Sequence, residues 1–472
     1  MTALGTRPAR RLAATLLAGL LVMPAAVTAE ATVGARVDPV VAAFAQGATA
    51  LDRMAVIVVL RDQVDPRSLR AGSTRAKRRA IVDALRLRAS ETQRPLAATL
   101  GRLRTQRQIE AIRPLWIINA VAMRASPGAV AELRQLPAVA AIQADSALSG
   151  PAPLSSGAPA EPNLAQVNAP AVWDLGIRGS GVVVASLDTG VDSTHPDLAA
   201  GWRGGANSWF DPYGQHASPT DVNGHGTWTM GVMVGGEAGG TGIGMAPDAH
   251  WIAAKIFNDA GVATSSAIHA SFQWILDPDG NSLTDDAPDL VNNSWSFGAP
   301  GCDLSFQPDL QALVAADIVP VFAAGNFGPG QATSVSPGNY PEALSVGWVD
   351  GADQIDSQSS RGPTTCGRGG STTFPDLVAP GTSIRSADPW SGYWTASGTS
   401  LAAPHVAGAI GLLRQAFPAA SVNDLRAALL AGAADLGAAG PDDVYGSGRL
   451  DVLAAYQYLA AAPTPTPTPS PT

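Results

Sequence analysis

The sequence predicts an α/β protein: a doubly wound, mainly parallel sheet with helices on both faces, preceded by a smaller α+β unit. Three observations predict it. From residue 164 onward, apolar runs at 182–187, 251–256, 289–293, 318–323 and 343–349 alternate with helical stretches, the pattern of buried parallel strands joined by helices. Upstream, residues 51–148 read in the order β-α-β-β-α-β, the ferredoxin-like split arrangement. Between the two, 149–163 is rich in Pro, Ser, Gly and Ala and reads as a linker.

Each element follows from its residues. Arg7, Arg10 and Arg11 precede an apolar run from Leu12 to Met23 and the small residues Val27-Thr28-Ala29, which marks 1–29 as a secretory signal. The run is shorter than the roughly 20 residues a membrane span needs, and no other stretch reads as one. Residues 30–50 show no clear pattern and read as a leader segment. Ala55 to Leu60 is a strand, and an Arg-rich stretch from Ser73 to Gln108 has helical spacing of Ile81, Leu85, Leu96, Leu100 and Leu103. Leu115 to Met123 reads as one long strand or a strand pair. A short helix from Pro127 to Leu136 and a strand from Val139 to Gln143 complete the unit. The second unit spans 164–460, and 461–472 is a Pro/Thr-rich tail, extended and solvated.

Hydrophobic residues make up 46% of the chain and charged residues 15%, which suits a large buried core. Between residues 51 and 150 there are 17 Lys+Arg against 8 Asp+Glu; from 151 to 472 there are 9 against 29. A segment of +9 beside one of −20 suggests two parts that attract and later separate, and the acidic part argues against nucleic acid as a partner. Cys302 and Cys366 are an isolated pair without the neighbours of a metal site. In an exported chain they are expected to form a disulfide, the alternative being two buried thiols.

Three short segments carry chemistry. Gly398-Thr399-Ser400-Leu401-Ala402-Ala403-Pro404-His405 places a serine between a tight turn and an apolar helix-like run, where unpaired N–H groups and the helix dipole favour a developing oxyanion. Asp188-Thr189-Gly190 ends an apolar strand, and Asn223-Gly224-His225-Gly226-Thr227 opens another apolar helix. Serine needs a histidine to take its proton, and the histidine needs a carboxylate. Taken singly, each residue also reads as a turn former or a helix cap.

Together, Asp188-Thr189-Gly190, His225-Gly226-Thr227 and Gly398-Thr399-Ser400-x-Ala402-x-Pro404 resemble the three signatures of the subtilisin-like serine proteases (subtilases). Asp289-Leu290-Val291-Asn292-Asn293-Ser294-Trp295 and Trp251-Ile252-Ala253-Ala254-Lys255 are most similar to the bacillopeptidase F-like branch. The resemblance implies a secreted serine endopeptidase acting on polypeptides, with Asp188, His225 and Ser400 as its triad and Asn326, in Ala323-Ala324-Gly325-Asn326, as the oxyanion donor. It implies that 51–148 is an inhibitory, chaperoning propeptide, the protein's own intramolecular partner, cut away within 143–163. Nothing calls for an obligate oligomer, so a monomer is expected.

The resemblance also places Asn292, Asn293, Ser294, Trp295, Ser296 and Phe327 along the substrate cleft. Ser296 stands where the family often has glycine, and Phe327 takes a position often polar or acidic. Both departures imply a pocket for medium apolar side chains. Trp228 replaces a second histidine outside the triad, and Leu401 replaces the methionine that usually follows the nucleophile. No cofactor is expected for catalysis. Structural calcium is an open expectation with no site assigned: Asp277 to Asn281 with Asp285 and Asp286 reads as a solvated acidic loop, and Asp197 resembles a calcium ligand without the Asn-rich loop that completes such a site. His195, His250, His269 and His405 read as structural. Two other classes compete: a zinc hydrolase, for which no His-x-x-x-His or Cys cluster exists, and a silent surface-binding protein, against which the intact set of site residues argues.

Overall fold

The computed structural model describes residues 35–69, 73–149, 161–390 and 392–461. The expected signal at 1–29, most of the linker and nearly all of the Pro/Thr tail lie outside the described residues.

The N-terminal unit contains β1 (Arg36–Val37), α1 (Pro39–Gly47), β2 (Met54–Leu60), α2 (Thr74–Gln93), α3 (Ala97–Thr105), β3 (Ile109–Leu115), β4 (Ala120–Ala125), α4 (Pro127–Leu133), β5 (Val139–Ala144) and β6 (Ala147–Ser149). Its sheet runs β1-β5-β2-β4-β3. The antiparallel run β5-β2-β4-β3 is the split arrangement expected from the sequence. The stretch from Leu115 to Met123 resolves as a strand pair, because the chain turns at 116–119 with Asn119 at φ 40°. The Arg-rich stretch forms two helices, divided where Pro95 removes a backbone donor.

The expected leader needs correction. β1 adds to the sheet edge parallel to β5, and α1 packs on α4 with Val41 fully buried. Asp38 caps α1, its Oδ1 accepting from Val40 N at 2.8 Å, and Pro39 sits in the first turn. A two-residue strand has no periodicity to read, which is why this segment was silent in the sequence.

The second unit contains α5 (Pro162–Gln166), α6 (Ala169–Trp173), β7 (Val183–Asp188), β8 (Trp209–Phe210), α7 (His225–Val234), β9 (His250–Lys255), β10 (Val262–Thr264), α8 (Ser265–Leu276), β11 (Leu290–Asn293), α9 (Gln307–Ala315), β12 (Val319–Ala323), β13 (Leu344–Val349), β14 (Leu377–Pro380), β15 (Ile384–Asp388), β16 (Gly392–Ala396), α10 (Thr399–Ala416), α11 (Val422–Gly432) and α12 (Val452–Ala461). The parallel sheet runs β14-β13-β12-β11-β7-β9-β8. The order reverses between β11 and β7, and in open α/β sheets ligands bind beyond the carboxyl ends of the strands at such a switch point. β7 ends in Asp188 and β11 in Asn293, so both project there.

One apolar core lies between the sheet and α7 with α10; a second lies under α8 and α9. The second core also takes in Ile57, Ile81, Val82, Leu85 and Ile117, so the N-terminal unit docks on α8 and α9. Polar contacts surround that seam. Gln273 Oε1 accepts from Trp116 N at 2.8 Å, Arg78 donates to the carbonyls of Ala316 and Pro288, and Arg86 pairs with Asp277 at 2.5 Å. Asp145 Oδ1 accepts from Ser266 N at 2.7 Å near the start of α8. The basic-against-acidic division of the sequence thus appears as an interface. At its end, β6 pairs antiparallel with β10.

Candidate active site

The Asp188-Thr189-Gly190 turn and the start of α7 touch so closely that glycine is required at both. A Cβ on Gly226 would lie 2.1 Å from Gly190 O, and one on Gly190, at φ 118°, would lie 2.0 Å from Thr220 O. This contact brings His225 Nδ1 to 2.8 Å from Asp188 Oδ1, with both side chains buried. Asp188 Oδ1 also accepts from Thr189 N at 2.7 Å. An ionised acceptor in that position holds the proton on Nδ1 and leaves Nε2 with a free lone pair.

Asp221 is a site residue that the sequence reading assigned no role. Its Oδ1 accepts from Thr189 Oγ1, Asn223 N and Gly224 N, and its Oδ2 from Thr227 N and Oγ1, all between 2.8 and 3.0 Å. This buried carboxylate ties the aspartate turn to the first turn of α7, where negative charge also suits the helix dipole. Its place four residues before His225, in a Gly-flanked loop, was the available signal. Beneath the turn, the fully buried Lys255 donates from Nζ to Thr189 O at 2.8 Å.

Ser400 is the second residue of α10, behind Gly398 at φ 140°. Pro404, four residues on, has no N–H to give the Ser400 carbonyl, and Ser294 Oγ donates to it instead at 2.8 Å. Ser400 Oγ in turn donates to Ser294 O at 3.1 Å. His225 Nε2 is buried and makes no hydrogen bond among the described residues. Among the described residues the Asp188–His225 link is therefore closed and the Ser400–His225 link is open.

Asn326 is exposed beyond β12. Its Oδ1 accepts from Thr399 Oγ1 at 2.7 Å and Thr399 N at 3.2 Å, which fixes the amide with its donor end outward. That Nδ2 would lie 3.4 Å from a Cβ on Gly398, beside the Ser400 backbone. Ser294 is bonded to Ser400 as described. Asn292 and Asn293 are fully buried, Asn292 Nδ2 donating to Ser294 Oγ and Asn293 Nδ2 to Val291 O and Val321 O. Their side chains therefore brace the strand end, and neither residue is open to a cleft. Trp295 is 3% exposed, and its ring edges Phe306 and Phe322, so it belongs to the aromatic core and offers no open wall. Ser296 and Phe327 are half-buried.

Cys302 and Cys366 form a disulfide with Cα atoms 5.2 Å apart. Two groups of carboxylates bear on calcium, an open expectation to which no site was assigned. Asp197 Oδ1 accepts from Ala238 N and Oδ2 from Tyr393 O–H at 2.7 Å; Arg385 lies 3.8 Å over the Tyr393 ring and donates to Glu161 and Thr241. Both Asp197 carboxylate oxygens thus already accept from protein donors. Asp277, Asp279 and Asp286 bring carboxylate oxygens within 4.8 Å of one another, but Arg86 already pairs with Asp277. Burial pushes the Asp277 and Asp286 carboxyls above their usual range.

Chains of known type are similar to this one in sequence. The subtilase family model matches residues 179–448, more than half of the chain. The chain belongs to the subtilase family. Bacillopeptidase F of Bacillus subtilis is 34% identical over 416 residues, which is 80% of this chain and 28% of that relative. Subtilisin E of Bacillus subtilis is 33% identical over 350 residues, 72% of this chain and 81% of the relative. An intracellular serine protease of Paenibacillus polymyxa is 36% identical over 262 residues. This subtilase is thus a subtilisin-like serine peptidase by sequence, of the bacillopeptidase F-like branch, and it spans just over a quarter of bacillopeptidase F itself.

Two buried side chains of this subtilase, Leu401 and His405, have measurable effects. Leu401 is 2% exposed in a small cluster with Trp228, Val232, Ile384 and Ala396. Methionine at such a place oxidises to a bulkier, polar sulfoxide, and leucine cannot. Activity is expected to survive dilute peroxide, and Leu401→Met to make it sensitive; rapid inactivation of the unaltered enzyme without unfolding would contradict this.

His405 is fully buried, with Nδ1 at 2.8 Å from Leu401 O and Nε2 at 2.8 Å from Asn163 Nδ2. The carbonyl can only accept and the amide donates, so the ring is neutral with its proton on Nδ1. Desolvation lowers its pKa to about 4. The unfolded chain therefore binds a proton that the folded chain refuses between about pH 6.5 and 4, and stability falls as pH drops through that window, by about 3 kcal/mol in full. Melting temperatures of the inactive Ser400→Ala chain across this range check it; His405→Gln should flatten that part of the profile.

Proposed function

We propose that this chain is the precursor of an exported serine endopeptidase, working as a monomer, with Asp188, His225 and Ser400 as its triad. The observation that carries the reading is the buried 2.8 Å link from His225 Nδ1 to Asp188, formed beside a serine at the N-terminus of an 18-residue helix. Ser400 Oγ attacks the scissile carbonyl while His225 Nε2 takes its proton. Asp188 stabilises the imidazolium, and His225 then gives the proton to the leaving amine. The oxyanion is met by Asn326 Nδ2 and the Ser400 backbone N–H, at the positive end of α10. Water repeats the sequence on the acyl-enzyme and frees the second product.

A serine-directed phosphonate reagent tests the reading. Modification of Ser400 alone should abolish peptide hydrolysis, while a chelator should leave the triad chemistry intact. Loss of hydrolysis to chelator, with Ser400 unlabelled, would refute it.

The N-terminal unit acts as propeptide. Its last described strand, β6, lies as an added antiparallel strand on β10, the segment following β9, whose end pairs beside Asp188. Strand addition is how an extended substrate is held, so the unit occupies a substrate-type position and leads directly into the linker. Self-cleavage within 143–163 releases it. On the acyl side, the half-buried Ser296 and Phe327 favour medium apolar residues before the scissile bond. A Leu-containing peptide is expected to be cleaved at least about 10-fold faster than its Arg counterpart, the size of one or two apolar contacts. Faster cleavage of the Arg peptide overturns this.

A further inference from the structure

Trp390 and Trp394 are 65% and 41% exposed, a large apolar surface for a folded protein to leave open. Both are built onto the turn that carries His225. Trp394 stacks on Trp228 with centroids 6.4 Å apart and planes 17° apart, and Trp228 lies 6.1 Å from the His225 ring. Trp390 closes over Gly224, the residue before His225, where a Cβ would meet its ring at 2.9 Å. Buried Asp388 fixes both ends: Oδ1 accepts from Trp228 Nε1 at 2.8 Å and Oδ2 from Trp390 N at 3.1 Å. Underneath, Trp228 packs with Leu401, the residue after Ser400.

The position of these rings relative to the chemistry indicates what they meet. A peptide whose acyl half lies along β10 and Ser294 to Ser296 presents its leaving nitrogen to His225 Nε2. The half beyond that nitrogen must continue past the turn bearing His225, which is where the two indoles stand. We propose that Trp390 and Trp394 form an aromatic shelf for the leaving half of the substrate, selecting an aromatic or large aliphatic side chain at the first or second position after the scissile bond. The proposal rests on the endopeptidase reading above. Indole faces held by stacking on Trp228, whose own Nε1 is tied to Asp388, and by the Trp390 backbone bond to Asp388 bind a flat side chain at small entropic cost.

The test uses full-length protein after activation and a set of quenched fluorescent peptides with one acyl half and varied leaving halves. Unaltered enzyme should favour Phe, Tyr or Leu over Gly or Asp at one of the two positions by about 10-fold or more in kcat/KM. Trp390→Ala and Trp394→Ala should collapse that ratio toward one, and Trp394→Phe should restore most of it. The methyl ester of the same acyl half has no amino acid to place on the shelf. An equal loss on ester and peptide would mean general damage to the His225 turn, and would overturn the shelf. An unchanged ratio in both alanine variants would also overturn it. Absence of any Ser400-dependent hydrolysis by the unaltered enzyme would instead defeat the endopeptidase reading, and the shelf with it.

Discussion

Ser400→Ala is expected to lower kcat/KM on a good peptide by about 10⁴- to 10⁶-fold and to leave the chain uncut between residues 143 and 163. A methyl group cannot attack a carbonyl, so only positioning and the oxyanion donors remain to catalyse anything. The fold should survive. The substitution removes the 3.1 Å bond to Ser294 O, worth about 1 kcal/mol, while the bond from Ser294 Oγ to the Ser400 carbonyl is made by backbone and persists. Intact-mass measurement of both chains reads cleavage directly. A variant that still loses its N-terminal unit, in a host free of other proteases, would remove Ser400 from its assigned role.

Asp188→Asn is expected to cost about 10⁴-fold in kcat with little change in KM, because Asp188 is buried away from any substrate contact. Asp188 Oδ1 faces both Thr189 N and His225 Nδ1. An asparagine that keeps its oxygen there preserves the ring geometry but offers the imidazolium no counter-charge. One that turns its NH₂ to Nδ1 forces the proton onto Nε2, where the ring cannot accept from Ser400. Either outcome disables the base without emptying the site, and the near-isosteric change should barely move the melting temperature. A large rise in KM, or a kcat within about 10-fold of the original, would show that Asp188 does something else.

The candidate site residues were legible because each needs a local conformation that leaves a mark. Gly190 and Gly226 are demanded by the contact of two backbones, and Pro404 by a carbonyl that Ser294 serves. Such marks sit next to the residue they support, so a linear reading finds them. The main parallel strands were legible for another reason: they are buried on both faces and read as unbroken apolar runs. What escaped depends on partners far away in the chain. β1 has two residues and β10 three, too short for a period, and each exists only through pairing with β5 or β6. Asp221 looks like any loop aspartate until Thr189 and Thr227 close around it. Trp295 was placed on the cleft by its sequence neighbours, yet Phe306 and Phe322 draw it into the core. Trp390 and Trp394 carry no sequence pattern at all; their meaning comes from the hairpin that sets them beside His225.

With the N-terminal unit as the inhibitor proposed above, the pairing of β6 with β10 makes inhibition a matter of concentration. While the linker is intact, the strand is tethered beside its groove at an effective concentration on the order of millimolar. One cut in the linker adds and removes no contact in that ladder, yet it turns a tethered occupant into an independent molecule. From then on, the fraction of free enzyme depends on dilution and on how fast released strands are themselves digested. A chain crowded at its point of synthesis would stay closed after cutting, and the same molecule dispersed outside the cell would open.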